Sequence, residues 1–189
     1  MSDATKAAGE QTPRDMLRSL ALDGLMIALS IALTRFASYY VPIGGTPGAR
    51  LGLGPLPIIF TGIALGPVHG LLVGMLSDVT GHILVPAGAY LWQLTVISAV
   101  YGVLPWVIVR LRRPKSTAGR IWLGVAISRL VLNVGWLPLV LHDVSGMPYV
   151  PGVVAQAALS VVLVPALAVL TMALMRVYER TRYGRGGVA

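Results

Sequence analysis

RLGLGPLPIIFTGIALGPVHGLLVGMLSDVTGHILVPAGAY, residues 50–90, decides how the rest of the chain is read. Between Arg50 and Asp78 it holds no charged residue if His69 is neutral, and Gly62, Gly66, Gly70 and Gly74 recur every four positions while Pro67 interrupts the run. Glycine costs a water-exposed helix about 1 kcal/mol relative to alanine. In lipid the same residue lets backbones approach closely, so small residues four apart mark packing seams. The stretch predicts a short helix over 55–66, a turn at Gly66-Pro67 and a second helix over 68–84, ended by Pro86-Ala87-Gly88. A short, interrupted helix at membrane depth needs protein or a watered cavity to cover its freed backbone groups, which makes this segment a candidate cavity wall.

Composition supports a bilayer setting for the whole chain. Of 189 residues, 56% are hydrophobic and 12% charged, with a mean hydropathy of +0.77; soluble domains carry about 25% charged residues. At about 20 apolar residues per crossing, the length accommodates six spans. Outward from the glycine-rich stretch, helices are expected over 17–41, 90–110, 121–141 and 149–175, with Pro105 and Pro165 inside the fourth and sixth. Residues 42–54 are too rich in Gly and Pro for a regular span and read as an external loop or broken helix. The first apolar run is too long for a signal-peptide core and is expected to remain as helix 1. The fold class is therefore an all-α integral membrane protein of six transmembrane helices. Residues 1–16 form a polar cytoplasmic segment, 17–175 the membrane domain and 176–189 a basic cytoplasmic tail.

Charge placement orients the bundle. The net charge is +8, and twelve of the fifteen Lys and Arg residues fall in three patches: Lys6, Arg14 and Arg18; Arg110, Arg112, Arg113, Lys115 and Arg120; Arg176, Arg180, Arg182 and Arg185. Short basic segments beside spans mark the cytoplasmic side. Six crossings put all three patches, and both termini, on that side, which an odd number would not. No basic face interleaved with aromatics suggests nucleic-acid binding.

Chemistry in such a bundle falls to polar residues at membrane depth, where a charge costs at least ~2.5 kcal/mol and so faces protein, water or ligand. Arg35, Arg50, His82 and Gln93 lie toward the predicted outer side, with Tyr90 and Trp92 beside them. Asp23 and Arg129 lie nearer the inner side, where an internal ion pair or snorkelling is expected. Asn133 and Trp136 are three apart and so share a helix face; an amide beside an indole suits a flat heteroaromatic ligand. Ala28 and Ala32 form an AxxxA pair on helix 1. There is no HExxH, GxSxG or P-loop, the three histidines are scattered, and cysteine is absent, so neither catalytic nor metal-ligating residues are assigned.

The 50–90 stretch, with QLTVISAVYGVLPWVI and LNVGWLPLVL after it, resembles the substrate-binding S components of energy-coupling-factor (ECF) vitamin transporters. It is most similar to their folate group. The shared features are Arg50 before Gly54 to Ile58, the Gly66-Pro67 turn, Gly74 with Asp78, and Pro86 to Tyr90. The resemblance implies a subunit of the prokaryotic plasma membrane that captures a vitamin, folate in the first instance, on the outer face. It implies docking, through Ala28 and Ala32, on a transmembrane coupling subunit driven by two ATPase subunits, which use the ATP; this chain needs no cofactor. Read from placement and residue type together, the candidate substrate contacts are Arg35, Arg50, His82, Tyr90, Trp92, Gln93, Asn133, Trp136 and Gln156. Two departures from the folate pattern, Leu91-Trp92-Gln93 after the turn and Gln156 where helix 6 tends to be basic, keep another vitamin-like heteroaromatic compound open. A membrane-embedded enzyme is the alternative of a different class.

Overall fold

The computed structural model of the protein describes residues 13–43, 46–86, 90–111 and 117–183, with side chains described except at 13–15, 40–51, 117, 145 and 182–183. Helix α1 (Pro13–Arg35) leads into a β-hairpin of β1 (Ser38–Ile43) and β2 (Thr46–Gly52). It is followed by α2 (Pro55–Leu65), α3 (Pro67–Leu84), α4 (Trp92–Leu111), α5 (Thr117–Arg129), a π-helical segment (Leu130–Trp136), α6 (Leu137–Ser145) and α7 (Tyr149–Tyr183). The helices over 16–35, 92–111, 118–144 and 149–181 are long and apolar enough to cross a membrane. Because α5, the π segment and α6 run on as one rod, six helical units result, as the hydropathy pattern predicts.

The hairpin corrects the expectation for residues 36–54. Helix α1 stops at Arg35, six residues before the apolar run ends, because SYYVPI trades helix formers for aromatic and β-branched residues and a proline. The strands pair antiparallel from Ser38↔Gly52 to Ile43↔Thr46, with an irregularity between Val41 and Pro42 where Pro42 faces Pro47. Prolines survive here because a two-stranded sheet consists of edges. Hydropathy alone does not separate such a strand from the helix before it.

Helix α2 is the centre of the bundle. Leu56, Pro57, Ile58, Ile59, Phe60, Thr61 and Gly62 are all buried, and α1, α3, α4 and α7 pack around them. Its start is set by Pro55, whose fixed φ and missing N–H suit a first turn. Its end is set by Gly66, at φ 113°, a backbone state that L side chains avoid. The chain reverses there, so that Gly62 and Gly70, equidistant from the turn, come into contact, and the Gly102 backbone of α4 fits between them: a Cβ on any of the three would strike backbone. Gly74 meets Ser98 and Ala99 of α4 in the same way. Of the four evenly spaced glycines, three are thus the predicted packing seam and one is the turn.

Polar groups inside the apolar bundle satisfy themselves locally. Thr61, Ser128 and Ser160 donate to carbonyls four residues back, at 2.8, 2.7 and 2.7 Å, a common adaptation of hydroxyls in apolar helices. Asp23 of α1 meets His69 Nδ1 of α3 at 2.6 Å, so that acid has its partner inside the bundle. Arg110 stacks on Trp106 at 5.0 Å near the end of α4, tying the second basic patch to an aromatic ring.

Candidate functional site

A cavity of about 230 Å³ lies between α1, the base of the hairpin, α2, α3, α4 and the α5–α6 rod. Helix α1 supplies Ser30, Ile31, Thr34 and Arg35; Ser38 and Gly52, the first pair of the hairpin, close one side. Gly54, Pro55 and Ile58 bring the α2 start to the wall, as the broken-helix pattern predicts, and Ser30 Oγ anchors it by donating to the Gly54 carbonyl at 3.0 Å. Ser77 and Asp78 come from α3, and Leu94, Ile97, Ser98 and Tyr101 from α4.

The last wall is built by a spacing that a regular helix would fan out around its axis. Arg129, Asn133, Leu137 and Leu141, four apart, all line the cavity. In an α-helix each step of four residues overshoots a full turn by about 40°, so three steps would carry the stripe about a third of the way round the axis. The π segment between Arg129 and Leu137 takes more residues per turn and turns the stripe back. Its i→i+5 bonding is explicit at Leu137 N–H, which donates to the Leu132 carbonyl. Pro138 follows directly and has no N–H to give the Val134 carbonyl, so the regular ladder is already broken there.

The π turn also separates Asn133 from Trp136. Position i+3 falls further from position i than in an α-helix. Asn133 therefore faces the cavity while Trp136 points away, 39% exposed, and the shared face expected from regular spacing is not formed.

Electrostatically the cavity holds two cations and one anion among its described lining residues: Arg35, Arg129 and Asp78. Arg129 is 1% exposed, and its Nε and one Nη, like the Nε of Arg35, have no hydrogen-bond partner among the described residues. Neighbouring polar groups are ordered: the Tyr101 hydroxyl donates to Asn133 Oδ1 and lies beside the Arg129 guanidinium. This leaves the Asn133 amide N–H groups as donors. An anion with a flat polar partner would meet guanidinium N–H groups on two sides and a carboxylate acceptor on a third.

Arg35 and Asn133 are the sequence-predicted site residues that the cavity gathers. Arg50 sits on β2 opposite Tyr40, but its side chain lies outside the described residues. Tyr90 stands two hydrogen bonds behind the cavity, through Thr95 to Asp78, and His82 packs on its ring at 5.2 Å. Trp92 is 64% exposed, and Gln93, whose buried Oε1 lacks a partner among the described residues, lies off the lining. Gln156 is buried in α7, both amide atoms unpartnered among the described residues, and α7 contributes nothing to the described lining. Arg129, for which an internal ion pair or snorkelling is expected from the sequence, lines the cavity with Asp78 and Tyr101. The signal for Arg129 was available: Arg35, Arg50 and Arg129 are the three cations outside the basic patches.

Residues 18–179 match the protein family described as ECF transporter, substrate-specific component. A folate transporter FolT of Clostridium novyi (strain NT) is 32% identical to the chain over 136 residues, covering 70% of this chain and 75% of that protein. Among solved structures, a FolT bound with folic acid superposes with a TM-score of 0.68 at 22% identity, over 84% of this chain and 96% of that one. The S component of a bacterial ECF transporter superposes with a TM-score of 0.66 at 18% identity, over 88% and 98%. At those identities the two structures establish a shared fold.

Proposed function

The chain belongs to the ECF transporter substrate-specific component family, and from that premise we propose that it captures folate, or a related vitamin with a flat nitrogen heterocycle and a carboxylate, in the cavity walled by α1 to α6. The observation that carries this reading is the pairing of two under-used guanidinium groups, Arg35 and Arg129, with Asp78 and Asn133 around one cavity. A carboxylate or ring oxygen takes the guanidinium N–H groups, and Asp78 takes donors from the ring edge. The likeness to FolT supports folate as the first ligand to try.

The protein crosses the plasma membrane of a prokaryotic cell six times with both termini inside, so that the basic patches face the cytoplasm. Since the sequence contains no cysteine, single cysteines placed at residues 9, 116 and 186 can be labelled without background; labelling of any of them from outside intact cells would overturn this topology. The exposed Ala28 and Ala32 on α1 dock on the coupling subunit, and two ATPase subunits supply the energy.

The test is equilibrium binding to the purified, detergent-solubilised chain, read by tryptophan quenching or calorimetry, with mass spectrometry of copurifying small molecules. Saturable folate binding without chemical change of the ligand is expected. Absence of folate binding alongside a different copurified heteroaromatic compound would replace folate, a second reading favoured by Gln156 standing where the folate group tends to be basic. Turnover of the ligand by the isolated chain would instead point to an enzyme.

A further inference from the structure

At the α3–α4 junction a directed run of hydrogen bonds ends on the cavity. The Thr95 hydroxyl donates to Asp78 Oδ2 at 2.6 Å, and the Tyr90 hydroxyl lies 2.6 Å from the same Thr95 oxygen. A threonine hydroxyl has one proton. Since Asp78 receives it, Thr95 must accept from Tyr90, and the order Tyr90 to Thr95 to Asp78 is fixed. Thr95 is 6% exposed, and neither it nor Tyr90 lines the cavity, whereas Asp78 does. The remaining ionisable groups of the lining are Arg35 from α1, Tyr101 from α4 and Arg129 from α5; among the described residues none of them forms an ion pair or hydrogen bond with Asp78. The orientation of this carboxylate rests on the relay.

We propose that Tyr90 and Thr95 are positioning residues for substrate selection: they hold Asp78 as an oriented acceptor in the cavity, so that the site takes ligands presenting an N–H donor edge of the amino-pyrimidinone or amidine type and rejects isosteres without it. The inference rests on the reading that this cavity is the substrate site, and it explains why Tyr90, although outside the lining, bears on the ligand. A carboxylate accepts at about four lone-pair positions, so the bond from Thr95 leaves capacity for a paired donor edge. A ligand lacking the donors would leave a desolvated carboxylate unanswered, the situation in which polar sites discriminate most strongly.

The experiment uses the full chain in detergent with two probes, folate and its analogue bearing methyl in place of the exocyclic 2-amino group. Tyr90→Phe and Thr95→Val are expected to weaken folate about tenfold or more while changing the already weak analogue less than about twofold, and Thr95→Ser is expected to retain wild-type affinity for both. In an Asp78→Asn background Tyr90→Phe should add nothing further. Equal losses for both probes, or effects additive with Asp78→Asn, would overturn the proposal. If the wild-type chain binds no folate, the folate reading fails by itself, and the relay is read by infrared spectroscopy. The carboxylate band that disappears in Asp78→Asn should shift in Thr95→Val and Tyr90→Phe but not in Thr95→Ser; an unshifted band would sink the relay.

Discussion

Arg129 shows what a single residue can and cannot disclose in a sequence. Once twelve cations are assigned to basic patches, Arg35, Arg50 and Arg129 remain, and an arginine kept at membrane depth against a cost of ~2.5 kcal/mol or more needs a partner. That much was legible, but placing Arg129 by its depth in the sequence could not tell whether the partner is an internal acid or a ligand, which depends on the face of the helix it occupies. For Trp136 the counting itself misled: three residues in a regular helix put it beside Asn133, and the π turn does not. The contrast is measurable: Arg129→Ala should weaken folate binding about 10- to 100-fold, the range of lost charge-assisted hydrogen bonds, whereas Trp136→Ala should change it less than about threefold, an exposed indole off the lining having no bond to lose. Thermal melting of both variants separates lost contacts from lost folding. Equal effects of the two substitutions would remove Arg129 from the site.

At the scale of elements, the glycine pattern of residues 50–90 carried the reading furthest, because close backbone packing admits only glycine and so leaves a mark in the sequence. Gly70 and Gly102 meet backbone to backbone, a contact that cannot yield to an added methyl group without moving a helix. Gly102→Ala should therefore destabilise the fold by about 1–3 kcal/mol, read as a lower melting temperature in detergent, while Gly24→Ala, which meets nothing within 4 Å, should not. The π segment left a weaker trace, Pro138 after Gly135, since a proline breaks a ladder without saying how the helix will recover. Pro138→Ala restores the missing N–H and is expected to favour a regular helix, turning Arg129 and Leu141 out of line. Ligand affinity should then fall about tenfold with no loss of thermal stability, because the substitution supplies a backbone donor while it moves the lining residues. Unchanged affinity would mean that the π turn does not set the site. The hairpin was missed because its first strand is as apolar as the helix before it.

For the whole molecule, helix α1 has to serve two surfaces at once. Asp23, Met26 and Ser30 face inward, bonding His69, the core and the Gly54 carbonyl respectively, and Thr34 and Arg35 continue that side into the cavity wall. Gly24, Ala28 and Ala32 lie on the other side, exposed and without bulk. Such a stripe lets a second helix approach closely; under the function proposed above, that helix belongs to the coupling subunit. Because the two faces are distinct, binding and transport should separate by mutation. Ala28→Trp adds bulk only to the outer face, so the purified variant should bind folate within about threefold of wild type, there being no lining contact to disturb. Co-expressed with a coupling subunit and its ATPases, the same variant should fail to accumulate radiolabelled folate, since a tryptophan there holds the partner backbone away. Uptake at the wild-type rate would show that α1 docks by another face. Loss of binding as well would show that the two surfaces of α1 are not independent, and that the ligand site and the coupling face are joined through this one helix.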